Sequence, residues 1–293
     1  MHENKTNINW FPGHMAKARR QITESLKQVD LVVEVLDARA PLSSRNPEIK
    51  NLISQKPHIV ILNKSDLADK KMTEKWVKFY NDNGIPCILF SIKEKSHVNI
   101  LKNKIKSVMQ EKIDHWKSRG MIGRNIKFML VGIPNVGKSA IINRLVGNSK
   151  AKVENKPGVT RRNQWFSVGT DLQILDTPGI LWPKFDDQKT ALNLAFLGSI
   201  KDQILDVEEL ATEFIGTVKQ NYIGNICDRF KMNHEEFKNL SDRECLSLIA
   251  KKRGMVVRGG ETDNLRCAKM LIEEFRSGKL GKITLESADG EET

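Results

Sequence analysis

Residues 128–142 read Phe-Met-Leu-Val-Gly-Ile-Pro-Asn-Val-Gly-Lys-Ser-Ala-Ile-Ile: a short apolar run, the spacing GxxxxGKS, and then the start of a helix. Phosphates call for this arrangement. Gly132 and Gly137 let the backbone wrap closely and aim its N–H groups at an anion, and the following helix presents the positive end of its dipole. The residues expected around the phosphates are Asn135, Val136, Gly137, Lys138, Ser139 and Ala140. Lys138 can reach the β- and γ-phosphates and support the chemistry there, and the Ser139 hydroxyl suits a Mg²⁺ position. An incidental glycine turn does not explain four constrained positions between a strand and a helix. A nucleoside triphosphate site is expected.

A second motif, Asn63-Lys64-Ser65-Asp66, follows the apolar run His58–Leu62. The Asp66 carboxylate can accept from the N1–H and exocyclic amine of guanine, a donor pair that adenine lacks. Asn63 can address the O6/N7 edge, and the Lys64 stem can cover the ring face. Alone this is an ordinary polar turn; beside a phosphate loop it selects guanine, because a wrong base leaves the carboxylate unpaired. Ser91-Ile92-Lys93, after the apolar run Cys87–Phe90, resembles the Ser-Ala-Lys loop that lies over guanine in many GTPases. A third motif is Asp176-Thr177-Pro178-Gly179. There Asp176 suits a Mg²⁺–water contact and the Gly179 N–H the γ-phosphate. Thr160, just after Pro157-Gly158-Val159, is placed to sense the γ-phosphate through Mg²⁺. Phosphate, metal and guanine motifs together define a GTP/GDP site, and Asp66 argues against an adenine-nucleotide enzyme.

The elements that must hold these loops follow from periodicity. Ala18, Ile22, Leu26 and Val29 recur at helical spacing after Gly13, and Leu31–Leu36 is a buried strand ending at Asp37. A helix follows Pro47, an amphipathic helix carries Trp76, Val77 and Tyr80, and a long basic helix is expected over about His97–Lys117. Residues 118–125, with Gly120 and Gly123, read as a linker into the phosphate-loop strand. A hairpin, Gln164–Val168 and Leu172–Leu175, delivers Asp176. From Lys184 strand signals stop, and helical segments are expected around Leu192–Leu197, Val207–Val218, Glu244–Lys252 and Asn264–Phe275. The expected architecture is an α/β domain over residues 1–183, a mostly parallel sheet flanked by helices, and an all-α domain over 184–293. The acidic tail Glu286–Thr293 is expected to be disordered.

Motif order is informative. In ordinary GTPases the phosphate loop comes first and the guanine motif last; here Asn63–Asp66 precedes Lys138, and Asp176–Gly179 comes third. The same sheet results if the chain is circularly permuted, with 118–125 as the join.

Charge points to the partner. The net charge is +12, and Lys93–Lys127 holds ten Lys/Arg against three acids. An excess of this kind favours a polyanion, with RNA leading. Four cysteines without metal-ligand spacing suit a reducing compartment. The opening Met1-His2-Glu3-Asn4-Lys5 has no apolar signal segment and no run approaches membrane-spanning length, so a cytoplasmic, membrane-free protein is expected.

The permuted order, the opening Trp10-Phe11-Pro12-Gly13-His14-Met15-Ala16 and the stretch Asp176–Pro183 (Asp-Thr-Pro-Gly-Ile-Leu-Trp-Pro) resemble the ribosome biogenesis GTPase A, YlqF-type, family. The likeness is close over about 185 residues and looser beyond; Ala140 and Ile92 are small departures. It implies a permuted P-loop GTPase domain, a helical C-terminal domain, and a role in late assembly of the large ribosomal subunit, with rRNA facing Lys251-Lys252-Arg253 and Arg258. A monomer is expected. Ile180 stands where many GTPases carry a water-orienting glutamine. His14, on a glycine-flanked turn, is the candidate replacement, because an imidazole can handle a proton near neutral pH, and the resemblance supports it; the other reading is a histidine at a helix start that contacts RNA. Related GTPases with the Gly-x-Pro-Asn pattern imply K⁺ at Asn135. The rival function is a nucleotide-sensing RNA-binding scaffold with negligible hydrolysis, which phosphate release with and without ribosomal particles separates.

Overall fold

The computed structural model describes residues 20–53, 56–147, 164–176, 187–200 and 206–289. Helix α1 (20–26) leads into strand β1 (Leu31–Asp37), then α2 (Pro47–Ile53) and β2 (His58–Asn63). A short 3₁₀ turn, Ser65–Leu67, precedes α3 (Lys70–Asp82) and β3 (Cys87–Leu89). Next come α4 (Lys95–Val108), α5 (Gln110–Ser118), β4 (Ile126–Val131) and α6 (Lys138–Val146). The hairpin β5 (Gln164–Val168) and β6 (Leu172–Asp176) completes the sheet. The single basic helix expected over 97–117 is two helices meeting at Met109, whose buried side chain sits at the corner with Leu101, Ile105 and Trp116 in one cluster.

The six strands lie in the order β3-β2-β1-β4-β6-β5, all neighbours parallel except the β5–β6 hairpin. Every residue of β1 is buried, as expected of a central parallel strand covered on both faces. Leu31, Val33, Phe128 and Leu130 face a core completed by α4, α5 and α6. Val32, Met129, Val131 and Leu175 face Ile22 and Leu26 of α1 and Ile49 and Ile53 of α2. Trp76 and Tyr80 of α3 pack on Val60 and Leu62. The β4 strand sits between β1 and β6, so residues before and after it in sequence build opposite halves of one sheet. That is the physical content of the permuted order.

After Asp187 the described residues form helices, with one isolated antiparallel bridge between Val256 and Thr262: α7 (Gln188–Phe196), α8 (Val207–Lys219), α9 (Ile223–Phe230), α10 (His234–Asn239), α11 (Asp242–Lys252) and α12 (Asn264–Ser277). The hydrophobic cluster under the sheet continues without a break into Phe196, Phe214, Leu246 and Phe275. Asp187, Asp206, Asn233, Ser241 and Asp263 each cap the helix they precede through a side-chain oxygen, which explains where five of these six begin.

The C-terminal tail corrects the expectation of disorder. Residues 283–289 lie along the α/β sheet unit. The Leu285 N–H donates to Arg39 O at 2.7 Å, the Ile283 N–H to Leu67 O at 3.2 Å, and Trp76 Nε1 to Glu286 O at 3.2 Å. The Glu286 carboxylate is buried and accepts from the Leu42 and Ser43 N–H groups, the Ser43 hydroxyl and Asn193 Nδ2. Acidic composition suggests a solvated tail, but this carboxylate has specific donors waiting for it. Residues 290–293 lie outside the described residues.

Candidate nucleotide-binding site

The phosphate-loop and guanine motifs, with Asp176 of the third motif, meet at the C-terminal ends of the parallel strands. The register aligns Asp37 with Asn63 across β1 and β2, and β4 ends two strands from Asn63, leading directly into Gly132. Gly132 has φ 150° and a Cβ there would sit 2.5 Å from Val35 O, so only glycine lets the loop pass the β1 backbone. Gly137 (φ 98°) turns the chain into α6, and Asn135 holds left-handed backbone at φ 64°. Lys138 is buried with its ammonium turned back on the loop, donating to Gly132 O at 3.0 Å and Ile133 O at 2.8 Å. Burial pulls its pKa down to about 8, and nearby Asp176 pulls the other way. Asp176 closes β6 and is itself buried.

The guanine motif is tied to the phosphate loop. Asn63 Nδ2 donates to Val136 O at 2.6 Å, and Lys64 Nζ donates to Asn135 O at 2.7 Å. Lys64, at φ 59°, also pairs with Asp37 Oδ2 at 2.9 Å. Both residues thus brace one loop against the other, a duty that the motif did not reveal. Asp66 accepts the Ser91 hydroxyl at 2.8 Å and pairs with Lys93 at 2.8 Å. Partial burial opposes ionisation of Asp66, but these two donors hold its pKa below the usual carboxylate value. Ser91 is fixed in turn by its N–H donating to His97 Nδ1 at 2.9 Å, while Ile92 is exposed on the same loop. The structure brings together Asn63, Lys64, Asp66, Ser91, Asn135, Val136, Lys138 and Asp176. His14, Thr160 and Gly179 lie outside the described residues, as does Ile180–Pro183.

Comparison with known proteins agrees with this geometry. Residues 127–250 match the family described as 50S ribosome-binding GTPase. The chain is 42% identical to ribosome biogenesis GTPase A of Bacillus cereus, covering 96% of this chain and 94% of that one. It is 33% identical to the Thermotoga maritima protein of the same name, over 95% and 94%. A crystal structure of GNP-bound YlqF from T. maritima superposes with a TM-score of 0.66 at 30% identity, covering 93% of this chain and 99% of that one. The chain belongs to the ribosome biogenesis GTPase A family.

As a ribosome biogenesis GTPase it hydrolyses GTP to GDP and phosphate, and its sheet is that of a circularly permuted GTPase. No helix among the described residues is long and apolar enough to cross a membrane. Sequence reasoning missed a buried ion-pair network that braces these loops. Asp37, fully buried at the end of β1, takes Arg39 Nε and Nη2 on its two oxygens, both at 2.9 Å. Burial alone would raise its pKa, yet the Arg39 and Lys64 charges hold it well below the carboxylate range. Arg39 Nη1 continues to Phe275 O and Arg276 O of α12. The signal available in sequence was an aspartate closing a largely apolar strand, with an arginine two residues on.

Proposed function

We propose that this GTPase acts in late maturation of the large ribosomal subunit, binding the particle and its rRNA in a nucleotide-dependent way. The observation that carries the reading is the pair of bonds from Asn63 and Lys64 to Val136 O and Asn135 O. They hold the proposed guanine-selecting loop beside the phosphate loop more than seventy residues away, the placement that one nucleotide carrying both groups requires. The names of the curated relatives supply the ribosome as partner.

In this reading Asp66 takes the guanine N1–H and amine, with Ser91, Ile92, Asn63 and Lys64 framing the base. The N–H groups of Asn135 to Ala140, with Gly179, hold the phosphates. Lys138 swings from its two loop carbonyls to the β/γ-phosphates, where a fixed positive charge stabilises the transition state. Ser139, Asp176 and Thr160 offer the hard oxygen donors that suit Mg²⁺. When bound, the ion neutralises charge on the β- and γ-oxygens. Asn135 can offer Oδ1 to K⁺, since its Nδ2 is engaged by Gly198 O at 2.5 Å. His14 orients the attacking water in place of a glutamine. The protein works as a cytoplasmic monomer, with residues 1–183 as the GTPase domain and 184–293 facing rRNA through Lys251, Lys252, Arg253 and Arg258, which are exposed.

Phosphate release in the presence and absence of purified large-subunit particles tests this reading. Stimulation by particles is expected; equal rates would contradict a ribosome-directed role.

A further inference from the structure

Helix α7 ends in a tightly framed turn. The Gly198 N–H donates to Ala195 O at 3.0 Å and the Ser199 N–H to Leu194 O at 2.9 Å, with Gly198 at φ 73°. This is a Schellman ending, which satisfies carbonyls a helix terminus leaves open and demands left-handed backbone at the glycine. Arg276 of α12 adds a second set of bonds, Nη2 to Ala195 O at 2.7 Å and Nε to Phe196 O at 3.0 Å. A Cβ on Gly198 would lie 3.1 Å from the Arg276 guanidinium, so the turn and α12 are closely fitted.

The same turn grips the phosphate loop. Asn135 Nδ2 donates to Gly198 O at 2.5 Å, and the Ser199 hydroxyl donates to Pro134 O at 3.0 Å. Ser199 is 1% exposed, so no solvent competes for that bond. Pro134 and Asn135 are where the loop enters left-handed backbone, a conformation uncommon for a residue other than glycine. Lys64 holds the Asn135 carbonyl from the opposite side. Asn135 is thus held by both the guanine motif and the turn after α7.

We propose that Ser199, with the Gly198 carbonyl, is a positioning element for the phosphate loop, and that nucleotide occupancy reaches α7 and α12 through these two bonds. The proposal rests on the phosphate loop being the nucleotide site. Loop N–H groups converge on an anion only while the loop keeps its shape, and a loop held in advance loses less freedom on binding. Linkage makes the effect reciprocal: if the turn favours the binding-competent loop, bound nucleotide must stabilise the turn by the same factor. Coupling of this kind does not need the chain connection after Asp176.

The test uses the full chain, with Ser199→Ala, Ser199→Thr and fluorescent GDP, together with hydrogen exchange of residues 194–200 with and without GDP. In the wild type, GDP is expected to slow exchange at Gly198 and Ser199. Ser199→Ala, which adds no atom, should bind GDP about two- to tenfold more weakly, the range for one lost hydrogen bond, and lose that protection. Ser199→Thr keeps the hydroxyl and should retain both. Wild-type affinity and protection in Ser199→Ala would overturn the proposal. So would equal weakening in both variants, which would mark a packing effect. Wild-type protein that does not bind GDP would overturn the nucleotide site itself, and this role with it.

Discussion

Lys93 Nζ lies 2.8 Å from Oδ2 of Asp66, whose other oxygen accepts the Ser91 hydroxyl. The carboxylate proposed to read guanine therefore has donors from its own chain that compete with the base. Lys93 is 68% exposed, and a pair this open is worth about 0–1 kcal/mol. A guanine brings two charge-assisted hydrogen bonds of about 1.5–3 kcal/mol each, so the base wins. Lys93→Met keeps the stem and removes the competitor. GDP affinity at low ionic strength should rise by up to about fivefold and the gain should fade in high salt. Asp66→Asn should instead weaken GDP by about tenfold or more. Fluorescent-GDP titrations at two salt concentrations check both; tighter binding by Asp66→Asn would move the guanine site elsewhere.

Lys138 gives the expected pH dependence. Burial lowers its pKa to about 8 in the loop, and Asp176 only partly compensates. A bound polyphosphate favours the ammonium and raises that pKa, so binding takes up a proton above about pH 8. The sign follows: GDP affinity is flat below about pH 8 and falls as pH rises through and beyond it. Calorimetry at pH 8.5 in buffers of different ionisation enthalpy should show net proton uptake, and Lys138→Arg should abolish it. Identical heats in all buffers would contradict this assignment.

The sheet was legible because β1, β2 and β4 are largely apolar runs of strand length, with Glu34 inside β1 and Lys127 inside β4, each leading to a residue that could do chemistry: Asp37, Asn63 and the Gly132 turn. Motif order alone announced the permutation. What the sequence hid were bonds between distant residues. Nothing local tells that Arg39 reaches the last turn of α12, that Ser199 reaches Pro134, or that Glu286 in an acidic tail enters a cradle of four donors. The break at Met109 was hidden for the opposite reason, because its residue types suit a continuous helix and burial decides where it turns.

Glu286 offers a stability test. Burial pushes its carboxyl upward, but the donors from Leu42, Ser43 and Asn193 need an acceptor at that position. Glu286→Ala strands them and should cost about 2–4 kcal/mol, whereas Glu286→Gln, which keeps an oxygen, should cost about 1 kcal/mol. Urea unfolding of the three proteins measures this. If alanine costs no more than glutamine, the tail is not fastened through its carboxylate.

His14 is testable by the separation of binding from turnover. His14→Ala should lower particle-stimulated GTP turnover by about a hundredfold, within the usual range for a proton-handling or water-orienting group, and leave GTP affinity within about twofold. Stimulated turnover at the wild-type rate would remove His14 from the chemistry.

Nucleotide control of ribosome binding is tested most directly by dissociation constants for purified large-subunit particles, measured by co-sedimentation with a non-hydrolysable GTP analogue and with GDP. A coupling of about 1–3 kcal/mol predicts binding about 5- to 150-fold tighter with the analogue. Equal dissociation constants in the two nucleotide states would contradict the proposed control.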